Sequence, residues 1–284
     1  MLNGFHSVVV DVDDFESAVD DYARMLGQEA RWIEHNAERR SRSALFPLAN
    51  TLLEIRNTEV ATGDPSQGLS GFRLAWDEPD GFVRELKSAA TLTQPCVSEL
   101  AERSGIASTR RWTSTPLDRV VSRSISVELI SGETGEQPVW EDRGADSAPA
   151  TSIDPRSRIL GLDHVVLFSA DIEATRDFYA IRLGIRLALD RKFEKRGVRL
   201  IFLRIGGVTI EVGGRLDAEP QPERADRFGG LAWQVSDLEA VHSRLQEDRF
   251  DVSEIREGHK PGTRVCTVRD PVHGVPTLLI EPLS

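Results

Sequence analysis

The chain has 284 residues, 39% hydrophobic and 29% charged, with a formal net charge of −11. This is the composition of a globular protein longer than one typical domain, and its acid surplus argues against duplex nucleic acid or an anionic membrane as partner, because both need a basic face. No apolar run reaches bilayer-spanning length, MLNGFHS has no basic-then-apolar signal, and Cys96 and Cys266 lie in different halves without a disulfide framework. The expectation is a cytoplasmic protein acting on a small molecule.

Residues 4–27, GFHSVVVDVDDFESAVDDYARMLG, return as GLDHVVLFSADIEATRDFYAIRLG at 161–184. Matching His6 to His164 takes one extra residue in the first copy ahead of the helix. Beyond it the offset is constant at 157, as 171 minus 14, 179 minus 22 and 184 minus 27 show. A register held that long implies duplication. The Val-rich stretch 5–12 predicts a buried strand. Asp14 sits where a helix N-cap belongs, Phe15, Ala18, Tyr22, Met25 and Leu26 recur at helical spacing, and Gly27 stops the helix.

Three short strands are expected at 31–35, 43–47 and 51–56, completing a βαβββ unit. A weaker echo starts with FRLAW after Gly71, continues with a helix at 82–89 and ends with SISVELIS from Ser124, while 91–118 reads as irregular. Gly, Pro, Ser and acidic residues without periodicity then predict a mobile linker over 131–158. In the second half, strands are expected at 162–169, 186–192, 199–205 and 208–212 with a helix at 172–183. The unit recurs with strands at 230–235, 252–256, 264–268 and 276–280 and a helix at 238–246. The fold class is α+β: four βαβββ units paired into two curved mixed sheets, in domains 1–130 and 159–284.

LDHVVLFSAD, ATRDFYAIRLG, GGVTIEV, GGLAWQVSDLEA and RDPVHG together resemble the vicinal oxygen chelate superfamily, which includes glyoxalase I, bleomycin-resistance proteins, methylmalonyl-CoA epimerase and extradiol dioxygenases. The resemblance covers nearly the whole chain. It implies that the first and fourth strands of each unit offer one metal ligand apiece. Carried over, the first domain presents His6, Glu54, Arg73 and Glu128, and the second His164, Glu211, Gly230 and Leu278. Arg73, Gly230 and Leu278 are not ligands. Glu281 falls three residues past the ligand position, on the opposite strand face unless Pro276 marks a bulge.

The resemblance implies a divalent Zn, Ni, Mn or Fe ion held by His6, Glu54 and Glu128, or more weakly by His164 and Glu211, or no metal at all. Glu54, Glu128 and Glu211 are the candidate proton-moving carboxylates. Buried carboxylates need partners, and for Glu54 that partner is a metal or Arg73, which either pairs with Glu54 and Glu128 or clamps an anionic substrate. His259, Lys260 and Arg264, around a Gly/Pro turn, are carboxylate binders or a solvated loop. Trp76 and Trp233, also 157 apart, read first as core. The expected activity is a metal-assisted lyase, isomerase or epimerase on a small chelating substrate. A metal-free binding protein of the bleomycin-resistance type and an extradiol dioxygenase are the alternatives, and a homodimer stays open.

Overall fold

A computed structural model of the chain describes residues 2–36, 40–58, 68–77, 96–102, 110–132, 153–221 and 223–283. The first sheet holds β1 (Leu2–Asp11), β2 (Trp32–Asn36), β3 (Ser41–Pro47), β4 (Leu52–Thr58), β5 (Gly68–Trp76), β6 (Cys96–Glu102), β7 (Arg110–Pro116) and β8 (Ser126–Gly132), with helix α1 (Phe15–Leu26) after β1. The second holds β9 (Ile159–Phe168), β10 (Arg186–Phe193), β11 (Val198–Ile205), β12 (Val208–Arg215), β13 (Arg227–Val235), β14 (Arg256–Glu257), β15 (Thr263–Val272) and β16 (Val275–Pro282). Its helices are α2 (Ile172–Arg176) and α3 (Leu238–Glu247). Both helices, like α1, start on an aspartate: the carboxylates of Asp14, Asp171 and Asp237 accept from the backbone N–H groups of Ser17, Ala174 and Ala240 at 3.0–3.1 Å. Gly27 ends α1 in the left-handed region, whereas α2 passes into a π-helical stretch, Asp177–Arg182, that helical periodicity alone does not show.

The strands run β1-β4-β3-β2-β6-β7-β8-β5 in the first sheet and β10-β11-β12-β9-β13-β16-β15-β14 in the second. This is the expected pair of curled mixed sheets, with one difference between them. In the first, β2 pairs with β6 and the sheet closes into a barrel. In the second, β14 is only two residues long and β10 remains an edge, so the sheet stays open. The stretch expected to be irregular, 91–118, contains β6 and β7, which make that closure. The expected helix at 82–89 lies outside the described residues, as does most of the expected linker; its last part carries a short 3-10 turn, Pro155–Ser157.

The ladders correct the alignment of the two copies. Ser7 lies opposite Leu52 and His164 opposite Thr209, so both pairs are offset by 157 (164 minus 7, 209 minus 52) and no residue is inserted. His164 therefore corresponds to Ser7, and His6 to Asp163. Both His6 and Asp163 sit at a bulge, where the antiparallel partner strand skips one residue of β1 or β9. Likewise Arg73, opposite Ser7, corresponds to Ala232, opposite His164, rather than to Gly230. Trp233 corresponds to Leu74, so Trp76 and Trp233 are not equivalent. Both are buried, as the core reading expected.

Each domain caps the first strand of the other. The β3–β4 turn reaches β9, where Asn50 accepts from Leu162 N–H at 2.9 Å and donates to its carbonyl at 2.8 Å. The β11–β12 turn reaches β1 in the same way: Gly206 has φ +55°, and a β-carbon there would lie 2.5 Å from the Phe5 nitrogen. Tyr22 donates to the Val272 carbonyl at 3.1 Å, and one apolar core runs through both sheets, from Phe5, Phe46 and Phe72 to Tyr179, Ile210 and Trp233. Replacing Asn50 with alanine leaves two main-chain groups of Leu162 without that partner. A loss of about 1–3 kcal/mol is expected in urea unfolding, with an unchanged m-value; a variant as stable as the parent would show that water serves Leu162 equally well.

Candidate functional site

In the first domain the carried-over residues meet inside the barrel. Arg73 on β5 donates through Nε to Glu128 on β8 at 3.0 Å, and through both terminal nitrogens to Glu54 on β4, the Nη2 contact being 3.2 Å. Ser43 adds a hydrogen bond to Glu54 at 2.8 Å, and Ser114 another to Glu128. All three charged side chains are buried. Beside them, Trp32, Leu45, Leu52, Trp112 and Ile130 form a separate apolar cluster. The expected pairing of Arg73 with both glutamates is present, and it decides between the earlier readings. A divalent cation among these carboxylates would have to share the space with a guanidinium. The set His6, Glu54 and Glu128 therefore does not fit a metal, and Arg73, engaged on both sides and buried, is not placed to clamp a substrate.

His6 packs edge-on against Trp112, with ring centroids 4.9 Å apart, and its Nδ1 lies 3.1 Å from Ser7 Oγ. Burial, reinforced by the positive charge of Arg73 and opposed by Glu128, pushes its pKa from 6.5 down to about 3. The unfolded chain thus takes up a proton below about pH 6.5 that the folded chain refuses until about pH 3. The stabilisation is complete above 6.5 and is lost as pH falls toward 3. Between pH 6 and 4 the parent is expected to lose about 1.4 kcal/mol per pH unit more than a His6→Gln variant. Equal slopes in urea titrations at several pH values would mean that His6 protonates freely in the folded protein.

The second domain is arranged differently. His164 on β9 and Glu211 on β12 turn toward the same open face, with Nε2 and Oε2 3.9 Å apart and side chains 17% and 23% exposed. The neighbouring bulge residue Asp163 places Oδ1 2.8 Å from His164 Nδ1. That contact holds the Asp163 carboxyl below its ordinary range against the effect of burial, with help from the charges of His164, Lys260 and Arg204. An ionised acceptor at Nδ1 requires the ring proton there, which leaves the Nε2 lone pair directed at the open face. Burial raises the Glu211 pKa, as does Asp163, against the opposing influence of His164 and His259. Across the ladder from Thr209, Arg204 donates to the threonine hydroxyl at 2.8 Å.

Sequence reasoning named His164, Glu211 and His259 but missed Asp163, Arg204 and Thr209. The adjacent Asp-His pair was visible in LDHVV; its meaning depended on the bulge. Arg264 is corrected. It bridges Glu281, at 2.8 Å through Nε, to Glu239 on α3, outside the open face. Glu281 stands opposite Arg264 with no register shift after Leu278, as the strand count required. Leu278 and Ala232 complete the four family positions and offer no donor atom. Two protein ligands fall short of the three that catalytic zinc sites use, and among the described residues no group of three or more His, Cys, Asp or Glu is placed to hold a metal. Among the described residues, the side chains do not fit a resident divalent cation.

Residues 161–277 match the model of the Glyoxalase/Bleomycin resistance protein/Dioxygenase superfamily. No curated protein is similar enough to the chain to count as a match. Among solved structures, a mutant 4-hydroxymandelate synthase from Streptomyces coelicolor is 12% identical, with a TM-score of 0.66 over 99% of this chain and 93% of its own. A hypothetical protein from Staphylococcus aureus is 7% identical, with a TM-score of 0.63 over 98% of this chain and 99% of its own. Methylmalonyl-CoA epimerase from Mycobacterium tuberculosis is 26% identical, with a TM-score of 0.39 over 50% of this chain and 97% of its own. The first two likenesses extend the tandem fold over both halves. No described helix is long and apolar enough to cross a membrane. By sequence the second half of the chain, residues 161–277, thus belongs to the glyoxalase-type vicinal oxygen chelate superfamily, and the whole length has the tandem fold.

Proposed function

We propose that the open face of the second domain is the active site of an isomerase or epimerase that moves a proton on a small carbonyl compound carrying a negative charge. One observation carries this reading: His164 is oriented by Asp163 so that its free Nε2 faces Glu211 across a gap of 3.9 Å. That gap is too long for a hydrogen bond between the two groups and leaves both directed at a bound molecule.

The chemistry follows from the donors. Nε2 takes the proton from the carbon next to the carbonyl, and the electron pair of the broken C–H bond moves into an enolate. Glu211, whose burial favours the protonated form, returns a proton to that carbon or to the next atom of the enolate. After product leaves, His164 gives its proton to solvent and Glu211 takes one from solvent, which restores the resting pair. Arg204 and Lys260 supply positive charge for the substrate's carboxylate and the developing enolate. The first domain, with Glu54 and Glu128 both engaged by Arg73, serves as scaffold.

The direct test is deuterium wash-in. The protein is incubated with 2-oxobutyrate and related small 2-oxo acids in D2O, and the hydrogens next to the carbonyl are followed by NMR. Exchange faster than in buffer alone is expected. Saturable binding of the acids without exchange would replace this reading with a sequestering protein of the bleomycin-resistance type.

A further inference from the structure

The open face continues past His164 and Glu211, and its far end is apolar. Counting along the ladders, His164, Val166 and Phe168 on β9 share a face with Thr209, Glu211 and Gly213 on β12, with Arg204, Phe202 and Leu200 on β11, and with Leu189, the first residue past a register shift, on β10. Phe168 is 41% exposed and Leu189 48%. Leu200 and Phe168 close over the buried Gly213, where a β-carbon would meet Leu200 Cδ2 at 3.2 Å and Phe168 Cδ1 at 3.7 Å, so the two apolar side chains join into one surface. Arg227 lies over the Phe168 ring, 4.7 Å from its centroid. Phe168 stands four residues from His164, roughly 13 Å along the strand.

The duplicated twin shows how unusual this exposure is. At the offset of 157, Leu189 corresponds to Trp32 and Phe202 to Leu45, which are 2% and 0% exposed inside the closed first barrel. Gly213 corresponds to Arg56 and Phe168 to Asp11, which fill the same place with an ion pair at 2.7 Å. Trp32 and Leu45 are interior and the Arg56–Asp11 pair is half-buried in the first domain; in the second the sheet stays open, and Leu189 and Phe168 are exposed.

We infer that this apolar surface holds the tail of the ligand whose charged carbonyl end lies at His164 and Glu211, so that the substrate is an amphipathic oxo acid with a chain of several carbons. The inference rests on the proposed function for the position of the head group. Continuity with the acid–base pair favours a small-molecule tail over another occupant: the apolar surface begins beside Glu211, where Val166 and Phe202 flank it, and crosses the four strands of the sheet face that carries His164 and Glu211. An apolar chain laid along it covers Phe168 and Leu189 as Trp32 and its neighbours are covered in the twin.

The test uses the intact protein and the series 2-oxobutyrate, 2-oxohexanoate and 2-oxooctanoate, with affinity measured by calorimetry and deuterium wash-in followed in the same samples. Affinity is expected to rise roughly threefold per added methylene, about a hundredfold across the series. Leu189→Ser and Phe168→Ser should flatten that dependence, while Ile181→Ser, on the π-helical stretch and 74% exposed, should keep it. Circular dichroism on each variant separates lost binding from lost fold, and Leu189→Ser, at an already exposed position, is the variant that decides. Equal affinity for all three acids overturns the tail site even if wash-in is rapid and the proposed function stands. A chain-length gain without wash-in supports the tail site and removes the proposed reaction. No binding at all removes both. A dimer in sedimentation that Leu189→Ser dissociates would give the face to a second copy of the chain and overturn the inference.

Discussion

Replacing Arg73 with methionine is expected to cost about 3–5 kcal/mol of folding free energy, the largest effect of any single change considered for this chain. The guanidinium is the shared partner of two buried carboxylates, Glu54 and Glu128, which come from strands on either side of the β1–β5 pair. Without it, two like charges face each other inside a barrel beside Trp32, Leu45 and Trp112. Ser43 and Ser114 each supply one neutral hydrogen bond, too little to hold an ionised group away from water. The triple variant Arg73→Met, Glu54→Gln, Glu128→Gln should recover most of the loss, because the three charges that pair with one another are then all gone and the serine contacts survive. Urea unfolding of the single and triple variants decides the matter. A single variant within about 1 kcal/mol of the parent would show that Arg73 does not neutralise the barrel.

His164→Gln is expected to lower the rate of deuterium wash-in by about 10²- to 10⁴-fold, with circular dichroism unchanged. Glutamine keeps a donor for Asp163 and removes the lone pair that accepts the substrate proton. Glu211→Gln should fall in the same range. If the two side chains act as a relay, the double variant will be scarcely slower than the worse single one, since each step needs both groups. Full activity in both single variants would remove the pair from the mechanism and direct attention to His259, Lys260 and Arg204.

The strands and helices were legible wherever local pattern specifies them. Asp14, Asp171 and Asp237 cap helices whose apolar faces repeat at the right spacing, and the Val-rich runs of β1 and β9 leave no other reading. Pairing across the chain was not legible. Matching His6 to His164 was attractive because the letters agree, yet the ladders align His164 with Ser7, and a strand shifted by one residue turns its side chain to the other face. Closure of the first barrel depends on β6 and β7, CVSELAE and RRWTSTP, whose polar residues resemble a loop when read singly. The Arg73 pairing was readable because a buried carboxylate demands a counter-charge and Arg73 stands at the strand position where the family resemblance puts a ligand of the same cavity. Asp163 escaped notice because only a bulge brings it round to His164.

The exchange of hairpins between the domains, Asn50 on the start of β9 and Gly206 on the start of β1, bears on how the molecule assembles from parts. Each half carries the cover for the other's first strand and lacks its own. A chain interrupted between residues 132 and 153, after β8 and before β9 in sequence, would yield two fragments that each expose that strand until they meet. Co-expressed from separate genes, such fragments should find each other and rebuild the native pair. This would make the protein a natural frame for complementation: activity at His164 would report whether two fused partners had brought the halves together.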